Sequence, residues 1–287
     1  MAIFVAHGPN EDAGKRTPAP RAEMAELGGR LLRWAMPLGL LLVVLAFWEM
    51  GVRWSGTPPY ILPGPVLVAR TLVLDWPTLY PSLLVTLRIT LSALAVATIG
   101  GAGLAVLFSL SRVVELSLYP FAVILQVTPV VAIAPLILIY VESTEAALLI
   151  CAWIVAFFPI LANTTLGLKS ADHDLVDLFR LHGASRWQML RHLRLPAAMP
   201  YFLGGLRIAG GLALIGAIVA EFVAGTAGTE SGLAYRILEA GYRLNIPRMF
   251  AALFLVSATG ILIFLALTLL SHLLLRRWHE SAVRPED

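Results

Sequence analysis

Residues able to do chemistry are few and scattered in this 287-residue sequence. Gly8 and Gly14-Lys15-Arg16 offer glycines and a lysine, the materials of a phosphate-cradling loop. The glycines are wrongly spaced for one, and Arg16 stands where a nucleotide loop places the Ser or Thr that reaches Mg²⁺. No run resembles a nucleophile elbow or a metal-ligand helix. The single cysteine, Cys151, lies in an apolar run, which excludes an intrachain disulfide framework and a Cys/His metal constellation. It is expected to be a small buried side chain. The chain is therefore not expected to be an enzyme, nor to hold a cofactor or metal of its own.

Two ionisable residues stand within a glycine-rich apolar segment, Arg207 and Glu221, separated by 13 uncharged residues. That is a helical rise of about 20 Å, so each can approach an opposite membrane interface. Glu221 reads first as an interfacial charge reaching water and second as a residue of a translocation pathway. Gln126, Thr128 and Asn163, with Pro129 and Pro135, are the other polar or kinking positions that could line a pathway. Each serves equally as an interhelical hydrogen bond or a packing kink.

The elements that must position these residues are transmembrane. Hydrophobic residues make up 59% of the sequence and charged ones 14%, against roughly a quarter in soluble domains. Mean hydropathy is +0.82. A hydrocarbon core of about 30 Å needs about 20 apolar residues per helix. Charge-free runs at 89–111, 116–141, 146–168 and 249–275 pass, as does 34–52 with Glu49 near its end, and 201–224 makes a sixth span. The expected fold is an all-α bundle of six spans. Two small-residue ridges, Gly205, Ala209, Ala213, Ala217 and Ala97, Gly101, Ala105, mark helices that pack closely inside it.

Of the 21 basic residues, 19 are arginine, and no basic patch interleaves with aromatics, which argues against nucleic-acid binding. Fourteen of them fall on the face bearing both termini and the 169–200 connection, and six on the other. The positive-inside rule assigns the richer face to the cytoplasm. Residues 1–33 read as an unstructured cytoplasmic tail rather than a signal peptide, 34–275 as the membrane domain, and 276–287 as a second cytoplasmic tail.

The 169–200 connection is patterned rather than merely polar. Leu175, Leu178 and Phe179 fall on one face of a short helix, Gly183 can end it in the left-handed conformation, and Ser185 with Gln188 forms a capping box for a second helix. Pro196 is expected to redirect the chain there. Such an apolar face needs a cover, either the bilayer surface or a cytoplasmic partner.

Asp177-Leu-Phe, then Gly183, then Leu193-Arg-Leu-Pro196 resembles the signature loop of binding-protein-dependent ABC importer permeases. That loop reads Glu-Ala-Ala, three residues, Gly, nine residues, Ile-x-Leu-Pro, and the spacing matches throughout. This chain departs from it with Asp for Glu and with Leu178 and Phe179 for two alanines. The 196–209 segment and Ile-Leu-Pro-Gly-Pro at 61–65 resemble the sulfonate, taurine and nitrate branch. The 232–236 and 243–250 segments lean toward its thiamine-pyrimidine-precursor members.

The resemblance implies a type I importer permease in the bacterial inner membrane, a two-fold dimer with both termini cytoplasmic. It implies two ATPase subunits that bind ATP and Mg²⁺, and a periplasmic or lipid-anchored binding protein that delivers a small solute. Asp177, Leu178, Phe179, Gly183, Ala184, Arg186, Leu193, Leu195 and Pro196 would then form the element that docks the ATPase. An ATP-independent secondary transporter is the alternative.

Overall fold

The computed structural model describes residues 20–225 and 231–276, with side chains from residue 35 onward. The chain divides into two units, 1–57 and 58–287. The first holds helix α1 (Pro20–Ser55). The unstructured reading of 1–33 is corrected over 20–33 alone: Ala, Glu, Leu, Met and Arg are strong helix formers, and Pro20 suits a first helical position, so the helix starts well before Trp34. Residues 1–19 and the tail after 276 lie outside the described residues. Glu49 accepts from Arg53 Nε at 2.6 Å, pairing the charge within the first expected span.

The second unit contains α2 (Pro65–Leu74), α3 (Trp76–Leu110), α4 (Arg112–Val127), α5 (Val130–Tyr140), α6 (Thr144–Lys169), α7 (His173–Leu181), α8 (Arg186–Met189), α9 (Leu195–Ala224), α10 (Leu233–Tyr242) and α11 (Ile246–Leu275). Among the described residues of the whole chain, five helices are long and apolar enough to cross a membrane. The span expected over 116–141 is a pair, α4 and α5, bent by 101°. Thr128 and Pro129 are both extended at the bend. A residue before proline is pushed out of the α region, and Pro129 has no N–H with which to continue the helix. Helices α3 and α11 begin earlier than their charge-free runs because the interrupting arginines are paired. Arg88 contacts Glu145 at 2.8 Å, and Arg248 Nε donates to Asp75 at 2.6 Å.

Pro196 does not redirect the chain. A π-helical turn over Leu190–Arg194 joins α8 to α9, and 186–224 form one 39-residue helix about 58 Å long. Leu195 N–H reaches back five residues to Leu190 O. Pro196 then enters where the hydrogen-bond register is already shifted and a missing N–H is tolerated.

Helix α6 is the centre of the packing, with α3 and α9 against it. Both predicted small-residue ridges are buried. A Cβ at Gly101 would stand 3.1 Å from Ile160 Cγ2, one at Gly205 2.8 Å from Pro159 O, one at Gly216 2.8 Å from Ala152 Cα, and one at Gly167 2.8 Å from Ala198 Cα. Cys151 is buried in the same layer, as expected. Lipid tails are as apolar as the side chains, so the helices associate through this close fit rather than through the hydrophobic effect.

One substitution should therefore have opposite signs at two glycines. Gly216→Ala pushes a methyl group into the α6 backbone and should destabilise the detergent-solubilised chain by about 1–3 kcal/mol. Gly103 faces open space on α3, so Gly103→Ala should stabilise by up to about 1 kcal/mol through helix propensity. Thermal unfolding of both variants checks the pair.

Candidate functional site

The long helix has a structured connection at one end and a buried carboxylate near the other. In the connection, Asp172 caps α7 by accepting from Asp174 N–H at 2.8 Å. The helix ends at Gly183, whose φ is +68°. Gly183 N–H donates to Arg180 O at 2.9 Å and Ala184 N–H to Phe179 O at 3.0 Å, the Schellman pattern of helix termination. Nothing lies within 4 Å of where a Gly183 Cβ would stand, so backbone conformation is the constraint here. Ser185 Oγ then accepts from Gln188 N–H at 3.2 Å, and Gln188 Oε1 accepts from Ser185 N–H at 2.8 Å, completing the capping box.

The reversal folds α7 back on α8, with Ala171, Val176 and Met189 buried and Phe179, Leu193 and Ala197 packed against them. Of the expected group, Leu175 and Leu178 are exposed, while Phe179 is half-buried, packed in part on the buried layer. Leu178, Phe179, His182, Ala184, Gln188 and His192 line an outward concavity of about 470 Å³. Asp177 is exposed and pairs with Arg180 at 3.1 Å. Leu195 is partly exposed at the start of α9. Arg186 Nη1 donates to Leu110 O at 3.3 Å, and Arg194 Nη1 donates to Ser109 O at 3.0 Å. These carbonyls belong to the last turn of α3, which lacks intrahelical donors, so the two arginines fasten the connection to the bundle.

At the other end the structure departs from the reading of Glu221 as an interfacial charge reaching water. Its residue exposure is 1%, and its side chain reaches neither water nor an open path within the protomer. Glu221 accepts from Thr86 Oγ1 at 2.8 Å and from Ala234 N–H at 3.0 Å, while Thr86 Oγ1 accepts from Leu233 N–H at 2.9 Å. A carboxylate from α9 and a hydroxyl from α3 thus satisfy the first free N–H groups of α10, where negative charge also suits the helix dipole. Gly232 lies directly against the carboxylate, leaving no room for a Cβ. Arg236 Nε, one turn along α10, donates to Ser82 of α3 at 2.9 Å. The sequence reading missed Thr86 and α10; the available signal was Gly232 followed by Leu233, Ala234, Ile237 and Ala240 at helical spacing.

Thr128 and Asn163 bond within their own helices, Oγ1 to Ile124 O at 2.7 Å and Nδ2 to Pro159 O at 2.8 Å. Asn163 also packs against Gly205 between α6 and α9. Gln126 is exposed near the end of α4. Arg207, partly exposed, lies over the Phe264 ring at 6.0 Å.

Four similarities bear on the chain. The family model described as the binding-protein-dependent transport system inner membrane component matches residues 97–280. The riboflavin transport system permease protein RibX of Chloroflexus aurantiacus is 36% identical over 257 residues, covering 88% of this chain and 94% of that one. The formylaminopyrimidine transport permease protein ThiX of Halalkalibacterium halodurans is 35% identical, covering 83% and 94%. Among solved structures, an amino acid ABC transporter superposes with a TM-score of 0.58 at 19% identity, over 72% of this chain and 97% of that one. That likeness concerns the fold alone.

Removing the Glu221 carboxylate should release α10. Glu221→Leu strands the Thr86 hydroxyl and the Ala234 N–H, each at a cost of about 1–3 kcal/mol when buried. Glu221→Gln retains an acceptor and should be milder. Amide hydrogen exchange over 232–242 should accelerate strongly in the first variant and modestly in the second. Unchanged exchange in Glu221→Leu would show that α10 is held by other contacts.

Proposed function

Because the chain belongs to the family of binding-protein-dependent transport system inner membrane components, we propose that its 173–196 connection docks an ATPase subunit. The long 186–224 helix then carries the motion to α10 across the membrane. The chain is a multi-pass membrane protein and the permease subunit of an ABC importer, not an enzyme; the reading as an ATP-independent transporter is not supported. The family implies an ATPase and a substrate-binding protein as partners.

The observation that carries the coupling reading is the outward concavity, with Leu178 and Phe179 beside His182, Gln188 and His192, on a rigidly capped reversal continuous with a helix whose far end positions α10. Asp177, Leu178, Phe179, Gly183 and Ala184 form or flank the docking surface, with Leu193 beneath it. Arg186 and Arg194 tie it to α3, and Leu195 and Pro196 pass its displacement into α9. ATP and Mg²⁺ are bound by the ATPase chain.

The same reading has two copies of this permease forming a two-fold dimer with two ATPase subunits in a bacterial inner membrane. The positive-inside bias supports placing both termini and the docking connection in the cytoplasm and α10 on the periplasmic side, where the binding protein releases solute. In this arrangement Gln126, beside the bend at Thr128, is the exposed polar candidate for the pathway, while Glu221 acts through α10. The substrate class is a vitamin or vitamin precursor, in line with the riboflavin and formylaminopyrimidine transport permeases RibX and ThiX; small sulfonates, taurine and nitrate are the other class the sequence resembles.

Gly183→Val places a β-branched side chain at positive φ, a cost of about 1 kcal/mol or more, without obstructing the spans. Membrane abundance should stay near normal while co-purification of the ATPase and ATP-driven uptake fall sharply. Asp177→Ala should act more mildly and Arg16→Ala should do little. Normal ATPase association in Gly183→Val would remove the connection from coupling. A topology reporter fused after His173 should report cytoplasmic and one after Glu230 periplasmic; the reverse would overturn the orientation.

A further inference from the structure

A second cavity, of about 350 Å³, lies behind α7 rather than on its outward side. Its walls include the end of α3, the start of α4, the end of α6 and the inward side of α7. Arg112, Lys169, Arg180 and Arg194 line it, with His173 and one carboxylate, Glu115. Glu115 is shared by Arg112, at 2.8 Å, and Lys169. Arg180 is paired outside the cavity wall with Asp177, and Arg194 spends one N–H on Ser109 O. Four cations against Glu115 in the lining and Asp177 on Arg180 leave an excess of positive charge around one hollow.

The hollow sits where membrane-crossing helices end, at the level of lipid headgroups. The α4 residues leading away from it along the Arg112 face are Leu116, Tyr119 and Val123, at i+4, i+7 and i+11 spacing; all three are exposed. A cationic hollow continuing into an exposed apolar stripe matches an anionic phospholipid, headgroup phosphate in the hollow and acyl chain along α4. Basic pockets between transmembrane helices are a known means of holding such headgroups.

We propose that this hollow is a binding site for the headgroup of an anionic phospholipid, placed so that the lipid braces α7 from behind against the ends of α3, α4 and α6. The test uses the full-length chain in nanodiscs of equal phosphatidylglycerol and phosphatidylcholine, with retained lipid read by native mass spectrometry. Both leaflets are alike, so an inverted topology would not alter the outcome. The unaltered chain should retain phosphatidylglycerol preferentially. Arg112 and Arg180 side chains are 69% and 65% exposed, so Arg112→Gln with Arg180→Gln should leave the fold intact. That pair should weaken phosphatidylglycerol retention about thirtyfold, at roughly fivefold per cation, with phosphatidylcholine unchanged. Replacing both by Lys should restore most of the preference. Equal retention of the two lipids by the unaltered chain, or undiminished preference in the Gln pair, overturns the proposal. So does displacement of the lipid by millimolar inorganic phosphate, which would make it a free-ion site. Loss of ATPase association in the Gln pair with lipid preference intact would assign the cluster to a protein contact and also overturn it.

Discussion

Backbone-to-backbone contact between α6 and α9 is the constraint from which the remaining geometry follows. The helices run antiparallel, with Ala152 opposite Gly216, Pro159 and Asn163 opposite Gly205, and Gly167 opposite Ala198 and Tyr201. Glycine at these positions removes the side chain that would hold the axes apart, and dispersion over the length of the contact substitutes for the hydrophobic force that lipid cancels. Helix α3 repeats the device on another side of α6 through Gly101. A helix seated this way has little freedom to bend, so displacement at one end is passed on rather than absorbed locally.

What the seated helix connects gives that rigidity its use. At one end a Schellman turn and a capping box fix the angle between α7 and α8, and two arginines bind the assembly to the last carbonyls of α3. Near the other end Glu221 stands one turn before Gly225, which closes α9 with φ of +55°. Its carboxylate, with Thr86, holds the start of α10. The charge is costly to bury, and three hydrogen bonds within the group offset that cost while committing α10 to follow α9 and α3 together. On the proposed coupling role, this joins the surface that would meet the ATPase to a short helix at the far end of α9.

The turn and cap of the 173–196 connection were legible in the sequence because their signals are local. Ser185 with Gln188 and the glycine at 183 specify their conformations over three or four residues, and the small-residue ridges specify burial through their spacing. The other end was not, because Glu221 and Thr86 are 135 residues apart and neither neighbourhood alone reveals the pairing. Charge-free runs located the spans but misplaced their ends, since Arg88 and Arg248 are neutralised by partners distant in sequence. They also concealed the bend at Thr128-Pro129, where an uninterrupted apolar run contains a backbone break. Pro196 misled in the opposite direction, as a π turn absorbed a residue that ordinarily ends a helix.

The claim that one rigid helix joins the docking surface to α10 is tested most directly by distances in the assembled importer. Spin labels at Leu181, in the last turn of α7, and at Tyr242, at the end of α10, are both on exposed side chains. Pulsed dipolar spectroscopy with and without trapped ATP should show the 181–242 distance within a protomer unchanged, while the 181–181 and 242–242 distances between protomers shift in the same step. A shift between the two Tyr242 labels with the Leu181 labels stationary, or a changed 181–242 distance, would contradict it.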